Sequence, residues 1–217
     1  MSIVVRTLSD RVFEIVREQI VLGRMPDGAP IRQDSLAAEL GVSKIPLREA
    51  LARLEQEGLI VSQPNRGYTV LPLSAVQAEE IYELRLAIEP AAAAYAATTA
   101  DDRRRAAVLA AFERLDAAAE HDLTAVAVCN RDFHTALARA EGRELTAGLV
   151  ERLSILAERY VVAHLGPSGR EHRAHAEHRT LLDAWMAGDG DRVRTYLEEH
   201  LAATIADLRV QFGVVKQ

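Results

Sequence analysis

Residues 41–60, GVSKIPLREALARLEQEGLI, constrain the fold more than any other stretch of the chain. Leu47, Leu51 and Leu54, with Ala50 beside them, recur at helical spacing and make an apolar stripe that has to be buried. Ser43 stands where an N-cap belongs, Pro46 is tolerated in a first turn, and Gly58 marks the C-terminal stop. On the other side Ser43, Lys44, Ile45 and Arg48 gather at the helix N-terminus, and Lys44 and Arg48, four apart, leave from one edge. Positive charge at that end opposes the helix dipole, so stability alone does not account for it. A phosphate or a guanine edge arriving there does. Just upstream, SLAAELGV (35–42) reads as a short helix stopped at Gly41. A short helix, a glycine turn and a basic-tipped helix make a helix-turn-helix, whose second helix enters the major groove of double-stranded operator DNA.

The flanks extend this module. Residues 8–23 carry Val12, Ile15, Val16, Ile20 and Val21 at helical spacing, with Ser9 or Asp10 as cap and Gly23 as stop. Residues 24–32 hold two prolines and a glycine and are expected to be loop. After the basic-tipped helix, Leu59–Val61 and Tyr68–Leu71 are short β-prone runs either side of SQPNRG, which reads as a hairpin. In a winged helix that hairpin is the wing. Arg66 at its tip would reach a minor groove or a phosphate, and Gly67 would let the backbone approach closely.

The run from Val16 to Val70, with LAAELGVSKIPLREALARLEQEGLI and then PNRGYTV, resembles the winged-helix DNA-binding domain of the GntR family of bacterial transcription regulators. The resemblance implies a DNA-binding regulator contacting its operator through Ser43, Lys44, Ile45, Arg48, Arg66 and Gly67. Lys44 stands where an arginine is usual, and Pro26-Asp27-Gly28 replaces the common Pro-Gly turn. A lysine is a point charge without the bidentate fork, so base reading at that position differs.

A net charge of −6 seems to argue against nucleic acid until it is divided. Residues 1–72 hold nine basic and nine acidic side chains, so the excess comes from the remaining 17 basic and 23 acidic ones. A neutral domain still binds DNA if its positive groups share a face. Pro72 closes this first domain, 1–72, and a second runs from 73 to 217. No apolar run approaches bilayer length and no signal-peptide pattern opens the chain, so a cytoplasmic protein without membrane contact is expected. The lone Cys129 cannot form an internal disulfide, which agrees with a reducing compartment.

From Ser74 onward no strand signal appears. Helical segments are expected at 75–98, 102–120, 122–141, 143–164, 170–187 and 190–212, divided by Gly142, by Gly166-Pro167-Ser168-Gly169 and by Gly188-Asp189-Gly190. The fold class is therefore mainly α, a winged helix-turn-helix followed by an all-α antiparallel six-helix bundle. The alanine-rich stretch 91–97 implies one closely packed helix contact.

All seven histidines lie in this second half. His134 follows Asn130 by four and shares its helix face, His178 lies one residue after Glu177, and His200 is flanked on its inward stripe by Leu197 and Leu201. Three imidazoles from three helices can converge inside a bundle and hold a divalent transition metal: zinc first, with nickel or iron as alternatives. His121, His164, His172 and His175 are expected at helix ends or in solvent, with His175 the reserve ligand. Arg85 falls on the apolar face of the first bundle helix, and a buried guanidinium needs an anion. That anion is either an inward Asp or Glu or the carboxylate of a small effector.

The segments YELRLAIEPAAAAYAA (82–97), NRDFHTAL (130–137) and EHRTLLDAWMAGDGDRVRTYLEEHL (177–201) resemble the FCD ligand-binding domain of the FadR subfamily of GntR regulators. The resemblance implies a metal held by Asn130, His134, His178 and His200, and an effector pocket at Arg85. Asn130 stands where many relatives have aspartate, which would lower metal affinity or change the metal. Three readings follow: a homodimeric, effector-responsive DNA-binding regulator; a regulator whose bundle and metal only support dimerisation; and a helical metalloenzyme. The last lacks a general base beside the histidines, and a DNA reader has no evident use in it.

Overall fold

The computed structural model describes residues 7–64, 66–119, 123–165 and 170–213. The chain divides into two compact units, 1–73 and 74–217.

The first unit opens with α1, Leu8–Val21. Its cap is Thr7 rather than Ser9 or Asp10: the Thr7 hydroxyl accepts from the Asp10 N–H, and the Asp10 carboxylate accepts from the Thr7 N–H at 2.9 Å. This reciprocal box satisfies two donors that a helix start leaves orphaned. Ser9 is buried in the first turn. Phe13 joins the inward stripe with Val12, Val16, Ile20 and Val21, whereas Ile15, expected there, is exposed. The segment expected to be loop contains a two-residue strand, β1, Pro30–Ile31. Then follow α2, Gln33–Glu39, and α3, Lys44–Gln56, with Gly41 between them in the left-handed region at φ 64°. Ser43 has the extended backbone of an N-cap but makes no side-chain capping bond.

β2, Ile60–Gln63, and β3, Gly67–Val70, form the expected hairpin, and β1 pairs with the far edge of β3, giving the antiparallel order β1-β3-β2. Pro30 faces Thr69 across that extra ladder. Leu47, Ala50, Leu51 and Leu54 of α3 are fully buried against Val16, Ile20, Leu36, Ile60 and Val70. The helix-turn-helix is thus clamped between α1 and a small sheet, which leaves the N-terminal tip of α3 outside the core.

The second unit contains α4, Ala75–Thr99; α5, Asp102–Ala119; α6, Leu123–Ala138; α7, Glu144–Leu165; α8, Arg170–Met186; and α9, Gly190–Gln211. These are the six bundle helices among the described residues, and none is long and apolar enough to cross a membrane. Ser74 caps α4 and Asp189 caps α9 through their side chains. α6 stops at Ala138, three residues before the expected end, and the Trp185 indole donates to the Leu137 carbonyl at 3.1 Å there. α4 packs against α9, α7 and α6. The alanine-rich stretch makes the close contact its composition implies: a Cβ on Gly190 would come within 3.1 Å of the Ala94 carbonyl oxygen and 3.0 Å of Thr98.

Trp185 is wholly buried, and its indole satisfies a carbonyl in the last turn of α6. Trp185→Phe keeps most of the apolar bulk but orphans that acceptor, at a cost of about 1–3 kcal/mol. A lower urea midpoint for the variant checks this.

Candidate metal centre and nucleic-acid surface

In the first unit Ser43, Lys44, Ile45 and Arg48 are all exposed at the start of α3, and Ile45 is 70% exposed. An apolar side chain in that position gains nothing from water and suits contact with a base methyl group. Lys44 is not a free charge, since its ammonium lies 2.6 Å from the Asp34 carboxylate. Both partners are well exposed, so the pair is weak and open to exchange. Lys44 and Arg48 line a shallow concavity together with Arg32, Gln33 and Ser35. These α2 residues were missed in the sequence, although Arg32 at a helix start carries the same unusual sign as Lys44. Arg66 is exposed in the hairpin turn, its N–H donating to the Gln63 carbonyl at 3.0 Å. Gly67 has φ 79°, a backbone that other residues rarely adopt, and the Gln33 amide nitrogen is its close neighbour.

In the second unit α6, α8 and α9 deliver His134, His178 and His200 to one place, where one ring nitrogen of each lies within 4.8 Å of the others. All three are buried. His178 Nε2 and His200 Nε2 are 3.2 Å apart, and the His134 Nε2 is buried with no hydrogen-bond partner. The second ring nitrogens of His134 and His200 are occupied. His134 Nδ1 meets Glu89 Oε2 at 3.0 Å, and His200 Nδ1 meets Glu177 Oε2 at 2.7 Å. Burial holds His134 down to about 4 against the pull of Glu89, and burial with the neighbouring His200 and His134 holds His178 well below its usual range. Three imidazole nitrogens brought this close, from three helices, fit a divalent transition metal. Asn130 is buried one turn before His134 and lines the same cavity of about 40 Å³.

Arg85 also lines that cavity, and its guanidinium is met within the chain. Nε and Nη2 donate to the two oxygens of Glu89 at 2.5 and 3.2 Å, with both side chains buried. Burial alone would push the Glu89 carboxyl up, but Arg85 and His134 outweigh it and hold the group at about 2. Of the two anions expected for Arg85, the structure displays the inward glutamate, and the Nη1 edge lies outside that pair.

The other histidines divide. His175 lines the cavity beside the cluster, half-buried, with its Nε2 at 3.2 Å from Asp116. His172 is exposed, and His121 lies outside the described residues. His164 stands in the last turn of α7 as expected of a helix end, but not in solvent: it is 3% exposed, lines the cavity, and its Nδ1 stands 3.6 Å from Asp207. A histidine one turn before a glycine-proline break reads as a helix end in sequence. Only tertiary packing of α7 turns it inward.

Residues 8–70 match the family described as bacterial regulatory proteins, gntR family, and residues 80–203 match the FCD domain. BphR of Paraburkholderia xenovorans, described as an uncharacterized HTH-type transcriptional regulator, is 30% identical, covering 98% of this chain and 89% of its own. A probable D-xylose utilization operon transcriptional repressor from Paenarthrobacter nicotinovorans is also 30% identical, covering 91% and 87%. Among solved structures, McbR of Escherichia coli superposes with a TM-score of 0.77 at 25% identity, over 95% of this chain and 99% of that one.

Titration of the buried groups predicts acid sensitivity of the metal-free protein. His134 and His164 fall from 6.5 in the open chain to about 4 when folded, both through burial, so between those values the unfolded state binds more protons. Their contribution is whole above pH 6.5 and is lost as pH falls towards 4. Glu89, lowered from 4.5 to about 2, adds a further loss below 4.5. The Tm of chelator-treated protein should therefore drop steadily below pH 6.5, and His164→Gln should shrink that drop.

Proposed function

The chain belongs to the GntR family of bacterial regulatory proteins, with an FCD domain as its second unit, and from that premise we propose how this transcription regulator senses and responds. It is a regulator and not an enzyme; the relatives are named for regulation. The proposal places it in the FadR subfamily, as a cytoplasmic homodimer with a reader domain 1–72 and a sensor domain 73–217. Ser43, Lys44, Ile45, Arg48, Arg66 and Gly67 contact a near-palindromic operator, since two-fold protein symmetry calls for matching half-sites.

In the sensor, His134, His178 and His200 hold the metal, zinc in the first instance, with Asn130 supplying a neutral oxygen. The bound metal supplies a Lewis-acidic position for an anionic ligand. The Nη1 edge of Arg85 receives the carboxylate of a small organic acid in the cavity that Arg85 shares with the histidines. The observation that carries the reading is the orphaned Nε2 of His134, buried beside two further imidazole nitrogens. An unpaired buried acceptor is costly unless something fills its place.

One observation favours a second reading. Glu89 already neutralises Arg85, as a bundle that uses its metal only as a brace would require. Thermal melts of the metal-loaded protein with small organic acids separate the two: the sensor reading expects a stabilising shift from at least one acid, abolished in Arg85→Lys, while the brace reading expects none.

Two substitutions test the division of labour. Arg48→Ala should abolish binding to a duplex selected by the wild type from random sequence, with metal content unchanged; retained affinity removes Arg48 from the contacts. His200→Ala should lower the metal found by elemental analysis to well under one ion per chain while leaving reader folding intact. Unchanged stoichiometry rejects the site.

A further inference from the structure

Beyond the three histidines, two carboxylates take part in the geometry without being ligands. Glu89 reaches His134 Nδ1 at 3.0 Å from α4, and Glu177 reaches His200 Nδ1 at 2.7 Å from α8. Each carboxylate is backed by an arginine four residues before it: Arg85 Nε to Glu89 at 2.5 Å, Arg173 Nε to Glu177 at 3.4 Å. The same order, arginine then glutamate then imidazole, therefore approaches the cluster from two sides. An ionised carboxylate only accepts hydrogen bonds, so the nitrogen facing it has to carry the proton. In a neutral imidazole the other nitrogen then has a free lone pair. For His134 and His200 that nitrogen is Nε2, and both belong to the cluster.

We infer that Glu89 and Glu177 are positioning residues of the metal centre, each fixing the Nδ1–H tautomer of its histidine so that Nε2 is offered to the ion. The inference rests on the metal reading above and adds residues that the ligand set does not contain. Carboxylates behind metal-bound histidines hold ring orientation and raise ligand basicity, and their loss costs about 10–100-fold in affinity. The backing arginines have a separate task. Arg85 fixes the Glu89 carboxylate through two hydrogen bonds while Oε2 faces His134 Nδ1.

The third histidine behaves differently. With both Nε2 atoms at 3.2 Å and His200 protonated at Nδ1, only His178 can supply the proton between them. Metal-free protein therefore carries His178 as the Nε2–H tautomer, and a metal held at Nε2 would require that proton to sit on Nδ1 instead. His134 and His200 are poised in advance; His178 switches.

Nitrogen-15 NMR of the histidine rings in the full chain, metal-free and then zinc-loaded, tests this, combined with zinc titration against a competing chelator. Wild type is expected to show Nδ1–H for His134 and His200 throughout, and a change from Nε2–H to Nδ1–H at His178 on loading. Glu177→Leu, chosen because Glu177 is partly exposed and its loss spares the core, should release the His200 tautomer and weaken zinc about 10–100-fold with one ion still bound at saturation. Glu89→Gln is the more severe variant, because it leaves Arg85 buried without a full charge partner. His200 found as Nε2–H in the metal-free wild type overturns the inference, as does unchanged zinc affinity in Glu177→Leu. A wild type that binds no metal overturns both this inference and the metal reading, whereas zinc binding that ignores Glu177 overturns the inference alone.

Discussion

A guanidinium and a carboxylate one helical turn apart, both closed off from water, set the terms for the sensor unit. Taking two such charges out of solvent costs several kcal/mol per ion, and only good geometry offsets it. Arg85 and Glu89 meet that condition with two hydrogen bonds, and the Tyr82 ring adds its face to the guanidinium at 5.0 Å. Glu89 has lone pairs left over, and one of them points at α6. The consequence is that α4, which contributes no histidine, decides how the imidazole of His134 is held.

Spacing of four recurs wherever chemistry is concentrated. Arg85 and Glu89, Asn130 and His134, and Arg173 and Glu177 each put two polar groups on one helix face. His178 and His200 come singly, and the short Gly188-Asp189-Gly190 connection brings their helices side by side. Gly190 is part of that arrangement for a steric reason: its missing Cβ admits the backbone of α4 at Ala94, and a side chain there would make α4 or Thr98 give way by a few tenths of an ångström. The reader unit follows the same spacing rule with Lys44 and Arg48, but there the pair faces solvent, so its charges are available to a partner of opposite sign.

Much of this was legible from residue pattern. The leucine stripe of α3, the glycine at its left-handed turn and the glycine-marked divisions between bundle helices all act locally, so periodicity and turn chemistry exposed them. The histidine cluster was legible because inward histidines on three helices can converge in a bundle, and the resemblance to the FCD domain implied that grouping. What escaped was tertiary. Thr7 outcompeted Ser9 as cap because Asp10 three residues on could complete the box, and Ser9 was needed inside. β1 is two residues long and exists only because β3 offers it an edge. His164 is turned inward by packing, and Glu89, although four residues after Arg85, sits in a run too apolar overall to mark which acid faces in.

The reader's nine basic side chains are balanced by nine acidic ones, and Lys44 shares its charge with Asp34. Non-specific affinity scales with the number of phosphates neutralised, so a module with no net positive charge binds weakly alone. In the proposed dimer two weak readers act together, and affinity then depends on whether both half-sites can be engaged at once. That makes the complex sensitive to small changes of placement. A ligand in the sensor alters operator binding only in so far as it prefers one placement over another. Close-packed interiors respond by discrete repacking rather than by gradual deformation. The cavity that the three histidines line is bounded by residues of every bundle helix from α4 to α9, so a ligand in it would touch each element of the bundle. The three histidines line that cavity, and Glu89 reaches His134 from α4, so in the proposed regulator metal, ligand and helix placement are parts of one equilibrium.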